Sequence, residues 1–386
     1  MFYSYSVPPY RQKILGKHRG GRTPIVRIRE INSYDDFLYL ENVWDKLLEG
    51  CGNSIFSTWE WLSTWWKHFG NNKKLVLLIA QENGNILGIA PLMYSVHKMF
   101  GLRMGKIEFI GTPDSDYNDF ILADKKEQCM KLFIEFLYDL SEKWNCIELL
   151  DIPEDAQSLP LLRKLTKNLK PAHACPFVGL PKSYEALLGS LGARHRKNIR
   201  QGFRHLEKDF KVDFLDYSAS PFVSGGMNTF FDLHQKRWNA AGLPGVFANQ
   251  ESRSFHLDIA RSFSQKGWLG LFLLELSGKP VAAHYGFKYR GRFYSYLSGF
   301  DPRYFRYSVG SLLTVHVMRN CIESGLVEFD FMRGAEEYKD HWNALTRWNR
   351  KAILIEKGFW ASFENLLYTE YWSQGNRLKY LLKMKQ

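Results

Sequence analysis

Paired cysteines are missing from this chain. The five that occur, Cys51, Cys129, Cys146, Cys175 and Cys321, are odd in number, far apart and without any C-x-x-C spacing. That argues against a disulfide framework and a zinc site, and no metal is expected; a reducing, cytoplasmic setting fits best. Long hydrophobic runs are missing as well. The longest apolar stretches, such as "KLVLLIA" and "WLGLFLLEL", have the length of strands, and the N-terminus lacks the apolar region of a signal peptide. Neither a membrane span nor secretion is indicated. G-x-G-x-x-G and G-x-x-x-x-G-K-[ST] are also absent, so neither a dinucleotide-binding fingerprint nor a nucleotide-triphosphatase loop is supported.

What the chain does have is the material for two cores. Its 386 residues exceed the usual size of one hydrophobic core, and 45% hydrophobic and 16% aromatic residues place it among globular proteins. The net charge of +12 is concentrated: residues 1–29 hold seven Arg or Lys and no acid, and residues 194–211 hold seven against two. The first of these segments carries Pro8, Pro9, Gly16, Gly20 and Gly21 without periodicity, which reads as a flexible basic tail over residues 1–25.

An internal echo organises the rest. "LLIAQENGNILGIAPLM" (77–93) and "FLLELSGKPVAAHYGF" (272–287) are each a strand, a polar turn with Gly84 or Gly278, and a second strand. Downstream, "CIELLD" and "LVEFDF" match as strands following amphipathic helical stretches; upstream, "STWEWLSTWWKHF" and "TFFDLHQKRW" both read as helices. The order predicts an α/β (α+β layered) unit used twice, over 26–180 and 181–386. Chance similarity between two hairpin-containing domains is the competing reading.

Two segments suggest anions. In "RHRKNIRQGFRHLEKDFK", Arg196, Arg200, Arg204 and Lys208 fall on one helical face and Ile199, Phe203, Leu206 and Phe210 on another. That is a cationic ridge suited to phosphate, nucleotide or RNA, or simply a solvated face. The loop "DPRYFRYSVG" runs from a strand into a helix, where unpaired backbone N–H groups and the helix dipole would welcome a pyrophosphate. The corresponding first-half segment, "NDFILADKKEQCMKLF", has no glycine and carries Asp124, which makes it less welcoming.

At this point the residues carry a resemblance. "GKPVAAHYGFKYRGRFYSYLSGFDPRYFRYSVGSLL" followed by "GLVEFDFMRGAEEYKDHW" resembles the second half of the BioF2-like, or CelD-like, acetyltransferase family of the GNAT superfamily, related to the FemAB peptidyltransferases. "IFSTWEWLSTWWKHFG", "IGTPDSDYNDFIL" and "ARHRKNIRQGFRHLEKDF" resemble the same family, so the likeness runs from about residue 26 to the strand near residue 356. The resemblance implies tandem GNAT folds, each a mixed, mostly antiparallel sheet flanked by helices, the first without cofactor, and transfer of an acyl group from acyl-coenzyme A. The acceptor would be an amine or hydroxyl, such as a sugar or a cell-envelope or polysaccharide precursor. By that family's loop pattern, Arg306, Tyr307, Ser308, Val309, Gly310 and Ser311 would hold the coenzyme; the spacing is one residue longer than the pattern, and Leu312 stands at its second glycine.

Acyl transfer to an amine needs a proton acceptor, an oxyanion stabiliser and, for the thiolate, an acid. His284 is either that base or a hydrogen-bonded core histidine, and Asp330 either a base or the structural partner of an arginine such as Arg333. Tyr338 could protonate the thiolate and Lys339 hold an anionic substrate. His234, Arg237, Trp238, Arg333 and Glu336 are the expected acceptor side. Two alternatives stay open: an aminoacyl-tRNA donor, and a non-catalytic binder of anionic polymers.

Overall fold

In this computed structural model, residues 12–13, 26–99, 102–140, 144–219 and 221–355 are described. The basic tail expected over residues 1–25 therefore lies almost wholly outside them. They form two compact units, one of the described residues up to 172 together with 349–355 and one of those from 173 to 348. The division expected near residue 180 thus falls at residue 172, and the end of the last described strand counts with the first unit.

The first unit contains β1 (Gln12–Lys13), β2 (Arg27–Ile31), α1 (Tyr34–Leu38), α2 (Glu41–Glu49), α3 (Trp59–Phe69), β3 (Lys74–Glu82), β4 (Asn85–Met99), β5 (Leu102–Phe109), β6 (Ile121–Leu122), α4 (Lys126–Tyr138), β7 (Cys146–Ile152) and α5 (Leu159–Leu165). Strands β2 to β5 pair antiparallel in sequence order, and β7 joins β5 in parallel. Glycine at the β3–β4 turn is required by its backbone, since Gly84 has φ 84°. Sheet residues such as Leu78, Leu92 and Ile147 close a core with Phe133 and Leu137 of α4. The tryptophans of α3 do more than fill space: Trp61 Nε1 donates to Ser115 Oγ at 2.8 Å and Trp65 Nε1 to Asp114 Oδ2 at 2.9 Å, pinning the segment after β5.

The second unit contains most of β8 (Leu169–Gly179), then α6 (Tyr184–Ser190), α7 (Ala193–Asp209), β9 (Val212–Asp216), α8 (Val223–Ala240), α9 (Gln250–Gln265), β10 (Leu269–Leu276), β11 (Lys279–Tyr289), β12 (Arg292–Phe300), α10 (Val309–Glu323), β13 (Glu328–Asp330) and the start of β14 (Leu345–Ile355). Strands β9 to β12 pair antiparallel in sequence order, β13 joins β12 in parallel, and β8 lies antiparallel to β13. Both units therefore run four antiparallel strands, a helix and a parallel strand, so the two halves share this topology as well as their hairpins. Helix α10 packs Leu312, Leu313, Val317 and Met318 into a core with Phe272, Val281 and Phe293.

Candidate functional site

The cleft of the second unit is made by a fork in its sheet. β12 and β13 pair over three residues only, Arg292–Tyr294 against Glu328–Asp330. Past Asp330 the next backbone donors turn to β8, with Phe331 N bonding Pro176 O at 2.9 Å and Gly334 N bonding Ala174 O at 2.9 Å. β12 meanwhile runs on to Phe300, so the two strands part. A cleft of ≈ 130 Å³ opens there, lined by Arg237, His284, Ser295, Leu297, Ser298, Phe300, Gly310, Ser311, Thr314, Phe331, Tyr338 and Trp342.

Two backbone features face this cleft. The β11–β12 register slips so that Tyr285 opposes Leu297 while Gly286 opposes Ser295, which leaves Tyr296 as an extra residue. This bulge interrupts the ladder where β12 lines the cleft. The second feature is the start of α10. Ser308 precedes it at φ 52° and makes no side-chain cap, and the first backbone donors of a helix have no acceptor within it. Gly310 and Ser311 in that first turn line the cleft, as does Thr314 one turn on. A Cβ at Gly310 would meet only Phe300 Cδ1 at 3.7 Å, so the glycine keeps the turn open rather than relieving a clash.

Neighbouring residues on a strand face opposite sides of a sheet. Tyr285 meets Phe230 of α8, whereas His284 meets Phe293 and Phe329 of the α10 core. His284 is 3% exposed, with Nε2 3.0 Å from Ser295 Oγ. Burial pushes its pKa down to about 4, so the ring is neutral at neutral pH. Tyr338 keeps 38% of its surface, yet burial around the phenol, with Glu336 nearby, pushes its pKa up despite the opposing charge of Arg237. It holds its proton throughout the physiological range.

Of the residues anticipated from sequence, the structure gathers His284, Tyr338, Gly310, Ser311 and Arg237 at the cleft and puts the others elsewhere. Lys339 does not line it. Its ammonium is buried, 3.1 Å from Phe331 O, 3.0 Å from Gly334 O and 2.7 Å from Glu336 Oε2, so it clips the turn after β13 instead of holding a substrate anion. Glu336 is correspondingly its counter-ion. Asp330 is fully buried, accepts from Met332 N at 2.8 Å and lies 3.7 Å from Arg347 Nη2, which makes Arg347 an ionic partner at this position. Arg333 is half-buried and outside the lining.

In the loop, Arg306 is exposed and donates to the Tyr307 hydroxyl at 2.7 Å, while that hydroxyl donates to Asp209 Oδ2 at 2.8 Å. Val309 is buried and Ser308 is exposed; like Arg306 and Tyr307, neither lines the cleft. The expected loop is thus reduced to its last two residues as lining. On α8, His234 and Trp238 are core: the indole donates to His234 Nε2 at 2.9 Å, and burial pushes the imidazole down to about 3. Ser295, Ser298, Thr314 and Phe331 went unnoticed in the sequence. A signal for the first two existed, since "RFYSYLSGF" interrupts an aromatic strand with small polar residues.

The corresponding fork of the first unit, beyond the Lys106–Cys146 and Ile107–Ile147 pairs, holds buried ions. Lys106 Nζ lies 2.5 Å from Glu108 Oε2 and 2.8 Å from Glu148 Oε2, and Lys351 reaches Glu148 from β14. Burial works against the Glu148 charge, but the two lysines outweigh it and hold the carboxyl at about 2.

Comparison with known proteins bears on the second unit and on the fold. Residues 193–340 match the model of an acetyltransferase (GNAT) domain. Among solved structures, FemX is 13% identical with a TM-score of 0.60, covering 81% of this chain and 96% of its own. L-PGS from Bacillus licheniformis is 12% identical at 0.52, covering 85% and 96%. The C-terminal domain of a putative lysylphosphatidylglycerol synthetase from Agrobacterium fabrum is 11% identical at 0.53, covering 87% and 96%. At these identities the likeness is one of fold. No curated protein matches the sequence.

Proposed function

We propose that this chain, whose residues 193–340 form an acetyltransferase (GNAT) domain, moves an acyl group from acyl-coenzyme A to an amine or hydroxyl acceptor in the cleft of its second unit. The observation that carries the reading is the fork between β12 and β13 beside the uncapped start of α10. Coenzyme phosphates suit the first turn of α10, where the helix dipole and unpaired N–H groups favour anions. The thioester then lies along the open edge of β12. Backbone donors at the bulge suit the oxyanion that develops on its carbonyl, and Leu297, Phe300, Phe331 and Trp342 keep water from it.

Two side chains would move protons. The Tyr338 phenol, held protonated, gives its proton to the departing thiolate. His284 is too weak a base to deprotonate a free ammonium; it acts on the far more acidic nitrogen or oxygen of the tetrahedral adduct, through Ser295. Being neutral at physiological pH, it needs no prior loss of a proton.

Thermal unfolding with and without acetyl-coenzyme A tests the reading, beside Gly310→Glu. A ligand at 100 times its dissociation constant stabilises by about 2.7 kcal/mol. A shift in the wild type that is lost in the variant supports donor binding at α10; a shift that survives Gly310→Glu puts the donor elsewhere.

A second reading has its own observation. On α7, Arg194, Lys197, Arg200, Arg204 and Lys208 are exposed and form no ion pair among the described residues. Arg196, expected in this row, instead donates to Gly189 O and Leu191 O at 2.8 Å. Five such cations along about 21 Å of helix suit RNA phosphates, as an aminoacyl-tRNA donor would require. Binding of bulk tRNA that falls steeply with salt and weakens in an Arg200→Gln/Arg204→Gln variant would favour it.

A further inference from the structure

The lining of the cleft contains one fixed cation and no carboxylate. That cation is Arg237, which enters from α8, on the face of the sheet opposite α10. Its Nη1 donates to the Ser298 hydroxyl at 3.5 Å, at the limit of a hydrogen bond. The guanidinium stacks over the Phe300 ring at 5.2 Å, and no carboxylate lies within ion-pair distance of it among the described residues. Glu336, the acid whose charge reaches it, has its carboxylate on Lys339 Nζ at 2.7 Å. A half-buried guanidinium without a paired anion is costly, and the cost is recovered when a ligand brings the anion. The α10 start is where the donor's phosphates belong, and the thioester end of the donor is uncharged. The anion therefore comes from the other substrate.

We infer that the acceptor carries an oxyanion group, a carboxylate or a phosphate, and that Arg237 holds it from the α8 side of the cleft while the nucleophile faces the thioester. The inference rests on the acyltransferase reading for the word acceptor. The guanidinium supplies two parallel donors matched to either oxyanion, and the Ser298 hydroxyl is placed to add a third. An acceptor that is only a cationic amine finds no counter-charge in this lining and is disfavoured. Arg237 is thus a specificity-determining residue.

The test is a titration of the full-length protein with sodium acetate or inorganic phosphate, against sodium chloride at matched ionic strength, read by thermal unfolding with and without saturating acetyl-coenzyme A. The wild type gains stability from acetate, from phosphate or from both beyond the chloride control, and the stronger of the two names the group. Arg237→Gln weakens the apparent affinity for that anion about tenfold or more, as expected for loss of a charge-assisted hydrogen bond. Arg237→Lys, which keeps the charge and loses the fork, falls between and guards against a variant that merely misfolds. No oxyanion effect in the wild type, or an equal effect in Arg237→Gln, overturns the inference. Failure of acetyl-coenzyme A to shift unfolding counts against the donor reading alone, because the oxyanion arm is also run without it.

Discussion

Substituting His284 by Gln removes a titrating ring and keeps a neutral polar group facing Ser295. The imidazole titrates at about 4 in the folded chain because burial disfavours its charged form. An unfolded histidine titrates near 6.5. Below that value the unfolded chain takes up a proton that the folded chain refuses, so stability falls as pH falls and is unaffected above it. Between pH 6.5 and pH 5 the difference is 1.5 units, or about 2 kcal/mol at 1.36 kcal/mol per unit. Urea unfolding of wild type and His284→Gln, followed by tryptophan fluorescence at pH 8 and pH 5, should show the variant losing about 2 kcal/mol less. The His284 resonance, assigned by its disappearance in the variant, should stay at its neutral position in NMR spectra down to about pH 5. A midpoint near 6.5, or equal pH slopes for the two proteins, would refute the claim that the cleft keeps this ring dry and neutral. It would also lift the restriction of His284 to the tetrahedral adduct, because a ring titrating near 6.5 is a stronger base.

Other substitutions separate chemistry from scaffold. Tyr338→Phe should lower kcat by about 10²-fold or more with little change in KM, the signature of a lost general acid; a change confined to KM would assign the phenol to binding. Lys106→Met strands Glu108 and Glu148 in the first unit and should cost about 3–5 kcal/mol in chemical denaturation. An effect under 1 kcal/mol there would mean that Lys351 alone satisfies both carboxylates. Gly299→Ala puts a Cβ 2.3 Å from His234 N, so α8 must move, costing about 1–3 kcal/mol and lowering the unfolding temperature. An unchanged midpoint would contradict the close approach of β12 to α8.

Much of the fold was legible because period and punctuation agree in this sequence. The hairpin glycines Gly84 and Gly278 both sit at positive φ, and the Trp-rich and cationic stretches became α3 and α7 nearly residue for residue. The site was legible only in part. Where a residue's role follows from its type and place on an element, as for His284 in β11 and Gly310 at the start of α10, local pattern sufficed. Lys339 and Asp330 lie as close in sequence to the cleft residues as Tyr338 does, and nothing local says that the lysine turns back onto Phe331 O and Gly334 O or that Arg347, seventeen positions on, approaches Asp330. The segment after β13 thus divides into a clip, Lys339 with Glu336, and a cleft wall, Phe331, Tyr338 and Trp342. The fork itself depends on which strand captures the donors of Phe331 and Gly334, a tertiary choice that no window of sequence records.

Hydrogen exchange with and without acetyl-coenzyme A addresses the central claim most directly. Donor binding at the fork predicts slowed exchange in residues 295–300 and 308–314 and none beyond background at Lys106–Phe109 and Cys146–Leu149 of the first unit. Protection confined to the first unit, or absent from both segments of the second, would contradict it.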